Sequence, residues 1–257
     1  ERGPAAEDGK DRVCVNIPPR HGKSQLVSIF YPAWFLGRNP DKKVMMVSHT
    51  TDLAVDFGRK VRNLIALDEY KTIFPEVSLA VDSKSAGRWN TNFGGEYFAC
   101  GIGSALAGRG ADLLLVDDPH SEQDVINGNF AVFEKAYEWF TFGARTRLMP
   151  GGRVAIVQTR WHMDDLTGRV TNDMVKNEMA DQYEIVEFPA ILDSEDENGK
   201  PIQKPLWPEF FDLAALERTK ASMPAFQWNS QYQQQPTSEE ASIVKREWWN
   251  IWEHDRM

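Results

Sequence analysis

Apolar residues recur along the chain in two alternating patterns. Short apolar runs, which are typical of buried strands, cover residues 13–17, 43–49, 112–118, 154–159 and 183–191. Stretches with apolar residues at helical spacing lie between them, at residues 25–36, 51–67, 124–143 and 164–180. Strands that alternate with helices in this way predict an α/β fold, in which a mainly parallel sheet is covered by helices on both faces.

The chain departs from this alternation in two places. Within residues 81–103, Gly94 and Gly95 separate two short strand-like runs, which predicts a β-hairpin. Beyond Ile191 the sequence predicts a polar acidic loop, a helix and a Gln-rich segment, at residues 193–200, 212–222 and 226–236. Three tryptophans follow at positions 248, 249 and 252, where we expect a packing role.

These changes of character divide the chain into three parts. We expect a flexible N-terminal segment at residues 1–12, a core domain at residues 13–191, and a small lid or linker subdomain at residues 192–257. A chain of 257 residues is long enough for one or two domains with a well-packed core.

The charge balance limits the classes of function that the chain can have. It holds 29 Lys and Arg against 38 Asp and Glu, a formal net charge of −9, which excludes a uniformly basic nucleic-acid binder. A local basic channel stays possible. The densest basic group either lines such a channel or forms a solvated face, and it consists of Arg145, Arg147, Arg153, Arg160 and Arg169.

Two further features of the sequence indicate the cellular compartment in which the chain would be found. No stretch approaches the roughly 18 apolar residues of a membrane-spanning helix, and a signal-peptide pattern is missing, so we expect no membrane association. Only two cysteines occur, Cys14 and Cys100, which argues against a disulfide framework and for a reducing compartment.

Residues 17–24, IPPRHGKS, stand between a predicted strand and a predicted helix, the context of a phosphate-binding loop. Lys23 would reach the β- and γ-phosphates, and the Ser24 hydroxyl would bind Mg²⁺. Ile17 stands where the usual motif has its first glycine, and the two prolines have no amide hydrogen to donate. The amides that cradle phosphate must then come from Arg20 through Ser24. The alternative is a surface turn that carries a lysine.

Two side chains flank this loop, and each has two possible roles. Arg20 meets either the γ-phosphate of its own subunit or a carboxylate. His21, together with Gly22, is expected to present its backbone to the phosphates rather than to act as a catalyst.

The strand at residues 112–118 ends in two carboxylates, Asp117 and Asp118. P-loop enzymes hold Mg²⁺ at such a position, and Asp117 fits that role. Asp118 would orient and activate the attacking water. A turn or helix-cap pair is the alternative for two acids at a strand end. The strand at residues 154–159 ends in Gln158 and Thr159, either of which fits a sensor of the γ-phosphate.

Several basic residues are further candidates. Arg109 lies between two glycines in a predicted loop, from which it could stabilise transition-state charge in its own or a neighbouring subunit. Arg145 and Arg147 are rival candidates for that role. Arg160 and His162 either face the edge of the sheet at which Gln158 and Thr159 lie or form salt bridges with the acids at positions 164 and 165.

Five stretches together resemble the ATPase part of the large terminase subunit of tailed phages, the motor that packages DNA. Their order along the chain also matches, over roughly residues 13–236. They are IPPRHGKS at 17–24, YPAWFLGRNPDKKVMMVSHT at 31–50, LAGRGADLLLVDDP at 106–119, RLMPGGRVAIVQTRWHMDDLTGR at 147–169 and FQWNSQYQQQP at 226–236.

The resemblance implies an additional-strand P-loop ATPase fold of the RecA-like type. It implies a Mg²⁺-dependent ATPase, in which the phosphate loop would bind the nucleotide and Asp117 would bind Mg²⁺. Asp118 would be the water-activating acid, although the family usually has Glu there. Thr159 falls in the coupling motif, and Arg109 matches the position of an arginine finger that acts on the neighbouring subunit.

The resemblance also implies partners and a location. The expected function is ATP-driven translocation of double-stranded DNA into a procapsid, in the host cytoplasm during phage assembly. The expected partners are DNA, the portal protein, a small terminase subunit and further copies of the chain in a ring, with a monomer in isolation. The family's C-terminal nuclease would begin about where this sequence stops, so we expect no nuclease activity from it.

Two other classes of function stay open. A helicase-like, DNA-dependent ATPase would require a second RecA-like domain. A nucleotide-binding structural subunit without turnover would bind ATP and assemble, and the paired Asp117 and Asp118 argue against it.

Overall fold

A computed structural model describes residues 11–83 and 85–237 of the chain. Its main sheet has seven strands: β1 (Arg12–Asn16), β2 (Lys43–Ser48), β3 (Arg88–Asn90), β4 (Glu96–Gly101), β5 (Ala111–Asp117), β6 (Leu148–Gln158) and β7 (Glu184–Glu187). The strand order is β3-β4-β2-β5-β6-β1-β7, and all neighbours are parallel except the β3–β4 pair. The mainly parallel sheet and the hairpin at Gly94-Gly95 are thereby confirmed.

The strand order explains how the predicted motifs meet. Strand β6 lies between β1, which leads into the phosphate loop, and β5, which ends in the acidic pair. The register places Asn16 beside Gln158 and Asp117 beside Val157, so the three strands end at nearly the same level. A strand inserted at this position is the additional-strand arrangement that the resemblance implied.

Alternation along the strands produces two cores. Leu113 and Leu115 of β5 pack on one face with helical residues such as Leu36 and Val61. Leu114 and Val116 pack on the opposite face, in the cluster that contains Phe140 and Leu166. Successive side chains of a strand point to opposite faces, so a strand buried on both faces is apolar at every position. This is why these runs are continuous rather than alternating.

The α-helices are α1 (Tyr31–Arg38), α2 (Thr51–Ile65), α3 (Asp68–Ile73), α4 (Glu122–Ile126), α5 (Ala131–Glu138), α6 (Leu166–Lys176), α7 (Leu213–Ala221) and α8 (Ala225–Gln227). The Thr50 hydroxyl accepts from the amide of Leu53 at the start of α2, and Asp165 accepts from the amide of Gly168 at the start of α6. These N-caps satisfy amides that have no partner within the helix.

Two sequence-based expectations about secondary structure are wrong. The helix expected over residues 124–143 is split into α4 and α5, because Gly128 adopts a left-handed φ of +71° and ends the first helix. The acidic loop expected over 193–200 is largely a hairpin of β8 (Ile191–Glu195) and β9 (Pro201–Pro205) around a turn at Gly199. Its polar strands have little core to cover, so they lack an apolar pattern.

The segment after β7 has a small core of its own. Ala190, Ile191, Leu216 and Trp228 are buried together, apart from the two clusters on the main sheet. Two members of this cluster, Ala190 and Ile191, lie before residue 192. The lid or linker subdomain over residues 192–257 stays a prediction.

Other expectations bear on the ends of the chain and on membranes. Residues 1–10 and the tryptophans at positions 248, 249 and 252 lie outside the described residues, as does any start of a nuclease domain. Cys14 and Cys100 are free thiols, both buried. In the part of the chain that the structure describes, no helix combines the length and apolar character needed to cross a bilayer.

The hairpin glycines provide a stability test. A methyl group on Gly95 would overlap the carbonyl oxygens of Pro40 and Lys42, whereas Gly94 has open space around it and a left-handed φ of +83°. Gly95→Ala should therefore lower the free energy of unfolding by about 3 kcal/mol through overpacking. Gly94→Ala should cost only about 1 kcal/mol of backbone strain. Urea denaturation of both variants measures the difference, and equal losses would contradict the packing described here.

Candidate active site

Buried polar side chains line one edge of the sheet, where four neighbouring parallel strands end. They are Ser48 of β2, Asp117 of β5, Gln158 of β6 and Asn16 of β1, each at most 1% exposed. Carboxyl ends of parallel strands are where open α/β sheets bind their ligands. The phosphate loop leaves β1 at this same edge, so the candidate site is built where the sequence predicted it.

The phosphate loop is a tight turn between β1 and the following helix. Gly22 has φ +81° and Arg20 has φ +60°, two left-handed conformations that reverse the chain. The His21 amide donates to Pro18 O at 3.4 Å, and the Leu26 amide donates to Gly22 O at 3.1 Å where the helix begins. That helix opens with a π-helical turn at Gln25–Phe30 before α1. Wider turns of this kind occur frequently at functional sites.

Two serines of this helix hold the first carboxylate of the acidic pair. The Ser24 hydroxyl donates to Asp117 Oδ1 at 3.2 Å, and the Ser28 hydroxyl donates to Asp117 Oδ2. Ser24 and Asp117 thus present oxygen atoms to a common point beside the phosphate loop. Hydroxyl and carboxylate oxygens are ligands that Mg²⁺ prefers, so this pair fits the metal role predicted from the sequence.

The second carboxylate is held by the phosphate-loop lysine. Lys23 Nζ lies 2.6 Å from Asp118 Oδ2, and the Thr159 amide donates to Asp118 Oδ1 at 3.1 Å. The Thr159 hydroxyl in turn donates to Ile17 O at 3.1 Å. Asp118 itself has φ +41°, a left-handed conformation that is strained for a residue with a side chain. The structure therefore brings Lys23, Ser24, Asp117, Asp118 and Thr159 together.

The electrostatics of the acidic pair follow from this crowding. The pKa of Asp117 is raised from 3.8 to about 6, chiefly by burial and then by the nearby charge of Asp118. The hydroxyl of Ser28, the ammonium of Lys23 and the hydroxyl of Ser24 act in the opposite direction. One ammonium thus faces two carboxylates, and a divalent cation would relieve this excess of negative charge.

Other candidates lie away from this cluster. Arg109 precedes β5, at the amino edge of the sheet, roughly 20 Å from Asp117 along a seven-residue strand. There its guanidinium pairs with Glu96 at 3.0 Å and lies over the Phe98 ring at 4.2 Å. Arg20 is exposed on the phosphate loop. Within one chain, Arg109 does not reach the phosphate loop.

Most of the basic residues that the sequence suggested for the carboxyl edge of the sheet or for a basic channel are paired with acids. Arg160 contacts Asp165 at 2.9 Å, and His162 lies 3.6 Å from Asp164, so the salt-bridge alternative describes them. Four of the five arginines in the densest basic group have carboxylate partners: Arg145 with Asp181, Arg153 with Asp11, Arg160 with Asp165 and Arg169 with Glu134. This group therefore resembles a paired surface more than an open basic channel.

The C-terminal segment meets the site through the peptide after Thr159. The Arg160 amide donates to Gln234 Oε1 at 3.2 Å, and the Ser230 hydroxyl donates to Arg160 O at 3.0 Å. Gln234 is 1% exposed and has φ +60°. The Gln-rich segment is thus a structural contact of the site, a role that its composition does not indicate.

A second contact between the C-terminal segment and the site involves aromatic rings. His21 is buried, and its ring stacks on Phe211 with centroids 4.9 Å apart. Its Nδ1 lies 2.8 Å from Pro19 O, and burial lowers its pKa. The Trp207 ring lies against Gly22, where a Cβ atom would be 3.9 Å from Cζ3 of the indole.

Sequence reasoning missed several residues of the site. Ser28 follows Ser24 by about one helical turn, so its spacing could have placed it on the same face. Asn16 and Ser48 end two predicted strands, and their polar character at a buried strand end was an available signal. Gln234 contacts the site only because the chain returns to it from a long way along the sequence, which no local pattern shows.

The raised pKa of Asp117 predicts a pH-dependent effect of Asp117→Asn. Because the carboxyl group is harder to ionise in the folded chain, it favours folding below pH 4, and this contribution is lost as the pH rises through about 6. At pH 8 the variant should be more stable than the parent by up to about 3 kcal/mol. The gain should shrink towards pH 4. Urea denaturation at both pH values measures it, and a variant that is less stable at pH 8 would refute the assignment.

Comparison with known proteins identifies the family to which the chain belongs. No curated protein sequence matches the chain. Among solved structures, the large terminase ATPase domain of Thermus phage P74-26 has a TM-score of 0.54 at 15% identity, covering 90% of each chain. A mutant of that domain gives 0.53 at 14% identity, covering 89% of this chain and 90% of its own. These likenesses show the fold.

A larger protein has the same fold over part of its length. The large terminase of a thermophilic bacteriophage gives a TM-score of 0.52 at 12% identity over 89% of this chain, which spans 49% of that protein. The family model described as "Terminase large subunit, T4likevirus-type, N-terminal" matches residues 14–251. Since that match covers nearly all of the 257 residues, the chain belongs to the family of terminase large subunits of the T4-like type, as its N-terminal part.

Proposed function

We propose that this chain is a Mg²⁺-dependent ATPase that drives double-stranded DNA into a procapsid. One observation carries the proposal: Lys23, Ser24, Asp117 and Asp118 converge at the carboxyl edge of an additional-strand sheet. Each of the four has the charge and donor chemistry that nucleotide hydrolysis requires. Membership of the terminase family supplies the process that the hydrolysis would serve.

The proposed hydrolysis begins with an exchange of partners. Lys23, which pairs with Asp118, would turn to the β- and γ-phosphates when ATP enters the loop. Asp118 Oδ2 is thereby released, while Oδ1 stays fixed by the Thr159 amide. The loop amides from Arg20 to Ser24 would orient the phosphates.

Asp118 is then placed to act on water. The water oxygen forms a bond to the γ-phosphorus, the bond from that phosphorus to the bridging oxygen of ADP breaks, and Asp118 takes a proton from the water. Ser24 and Asp117 would hold Mg²⁺, which neutralises charge on the phosphates. Thr159 would report the state of the γ-phosphate to the rest of the chain.

The assembly would complete the site. Arg109 lies at the edge of the sheet opposite to the phosphate loop, so we infer that it serves a neighbouring subunit in a ring rather than its own. The proposed partners are the portal protein, a small terminase subunit and double-stranded DNA, in the host cytoplasm. Part of the support is chemical: the phosphates of a bound nucleotide would add negative charge to the site, which an arginine from outside would help to neutralise.

Lys23→Ala should reduce DNA-stimulated ATP hydrolysis by roughly 100-fold or more, because the charge that meets the transferred phosphoryl group is lost. The measurement is phosphate release with Mg²⁺ and DNA. Lys42→Ala is the matched control, since Lys42 pairs with Asp112 at the other edge of the sheet and should leave turnover unchanged. If Lys23→Ala hydrolysed ATP at the parental rate, the site assignment would fail.

Mixing two inactive variants tests the role of Arg109 across subunits. Asp118→Asn should inactivate its own site, and Arg109→Ala should inactivate the neighbouring site. In a mixed ring, an intact Asp118 meets an intact Arg109 at some interfaces, so ATP hydrolysis should recover in part. Recovery that is absent at every mixing ratio, in rings of normal size, would refute the action of Arg109 on a neighbouring subunit.

A further inference from the structure

Two aromatic rings lie exposed beside the phosphate loop. Trp207 is 42% exposed and Phe210 is 57% exposed, and their rings stack with centroids 4.9 Å apart and planes 28° apart. Both follow β9, in the short turn that leads to α7. The hydrolysis proposed above does not use either ring.

This aromatic pair is held firmly in place. The Leu206 amide donates to Ala190 O at 2.8 Å, which fixes the end of β9 to the segment after β7. The amides of Phe210 and Phe211 donate to Trp207 O at 3.1 and 2.8 Å, which closes the turn. Rings that are ordered before a ligand arrives lose little conformational entropy on binding.

The pair is also continuous with the phosphate loop. Phe211 stacks on the His21 ring, Phe210 meets Phe211 edge-to-face at 4.8 Å, and Trp207 lies against Gly22. A contiguous aromatic surface therefore runs from two residues of the loop to two exposed rings. Phe211 is partly buried, and Trp207 and Phe210 are exposed to solvent.

We propose that Trp207 and Phe210 form the surface on which the base of the bound nucleotide stacks. This inference rests on the proposed function, because it requires the phosphates to occupy the neighbouring loop. A purine base is flat, apolar on its faces and attached to the phosphates through a short sugar. A flat aromatic surface next to a phosphate loop matches it in shape and polarity.

The chemistry also predicts how selective the contact is. Stacking on aromatic rings stabilises a base by roughly 1–3 kcal/mol and accepts any base, because every base has a π-face. The pair should therefore strengthen the binding of ATP and GTP to a similar degree. It would not read the hydrogen-bonding edge that distinguishes adenine from guanine.

The experiment compares a ligand that has a base with one that has none. Calorimetric dissociation constants are measured for Mg·ATP and for Mg·tripolyphosphate, with the full chain. Trp207→Leu, which keeps apolar bulk but removes the ring, should weaken ATP binding by roughly 10-fold. It should leave tripolyphosphate binding unchanged. Trp207→Phe, which restores a ring, should recover most of the ATP affinity.

Controls separate this inference from the proposed function. Phe142→Leu changes another exposed ring, 76% exposed on the π-helical turn Trp139–Ala144, and should affect neither ligand. Lys23→Ala should weaken both ligands. If Trp207→Leu left ATP affinity unchanged, or weakened both ligands equally, the stacking surface would be refuted while the phosphate site stood. If the parent bound neither ligand, the proposed function and this inference would fail together.

Discussion

The buried Asp117 carboxylate is the constraint on which the rest of the site depends. It sits at the end of the central strand β5, is 1% exposed, and lies next to a second carboxylate. A buried charge without partners would be very costly, so the fold must surround it with donors. The helix after the phosphate loop supplies two hydroxyls, and Lys23 supplies the compensating charge. Two of these groups, Lys23 and Ser24, are also the ones that the proposed nucleotide site would use, so folding and the proposed function share these contacts.

The sequence is informative wherever a pattern is local. Continuous apolar runs reveal β2, β5 and β6, because strands buried on both faces have no polar positions. The phosphate loop is recognisable despite Ile17 and the two prolines, since a strand, a Gly-Lys-Ser triplet and a helix follow one another. Asp117 and Asp118 stand out because they are two adjacent acids at the end of an apolar run. These features alone predict the fold class and the centre of the candidate site.

The parts that sequence reasoning missed depend on contacts that are distant in the chain. The hairpin of β8 and β9 has polar strands, because a two-stranded ribbon with little core has no apolar face to reveal it. The hydrogen bonds that link the Arg160 backbone with Gln234, which accepts, and Ser230, which donates, join residues about 70 positions apart. The position of Arg109 also follows from topology: a loop before a parallel strand lies at the opposite edge from the loop after it.

The Thr159–Arg160 peptide has a mechanical consequence. On one side the Thr159 amide is bound to Asp118, and on the other both the amide and the carbonyl of Arg160 are bound by Gln234 and Ser230. A shift of the Asp118 side chain would therefore be transmitted to a backbone segment that is also hydrogen-bonded to the C-terminal segment. The linkage runs through hydrogen bonds, which weaken steeply when donor and acceptor are misaligned. Such a linkage is stiff, because each hydrogen bond in it depends on the alignment of its donor and acceptor.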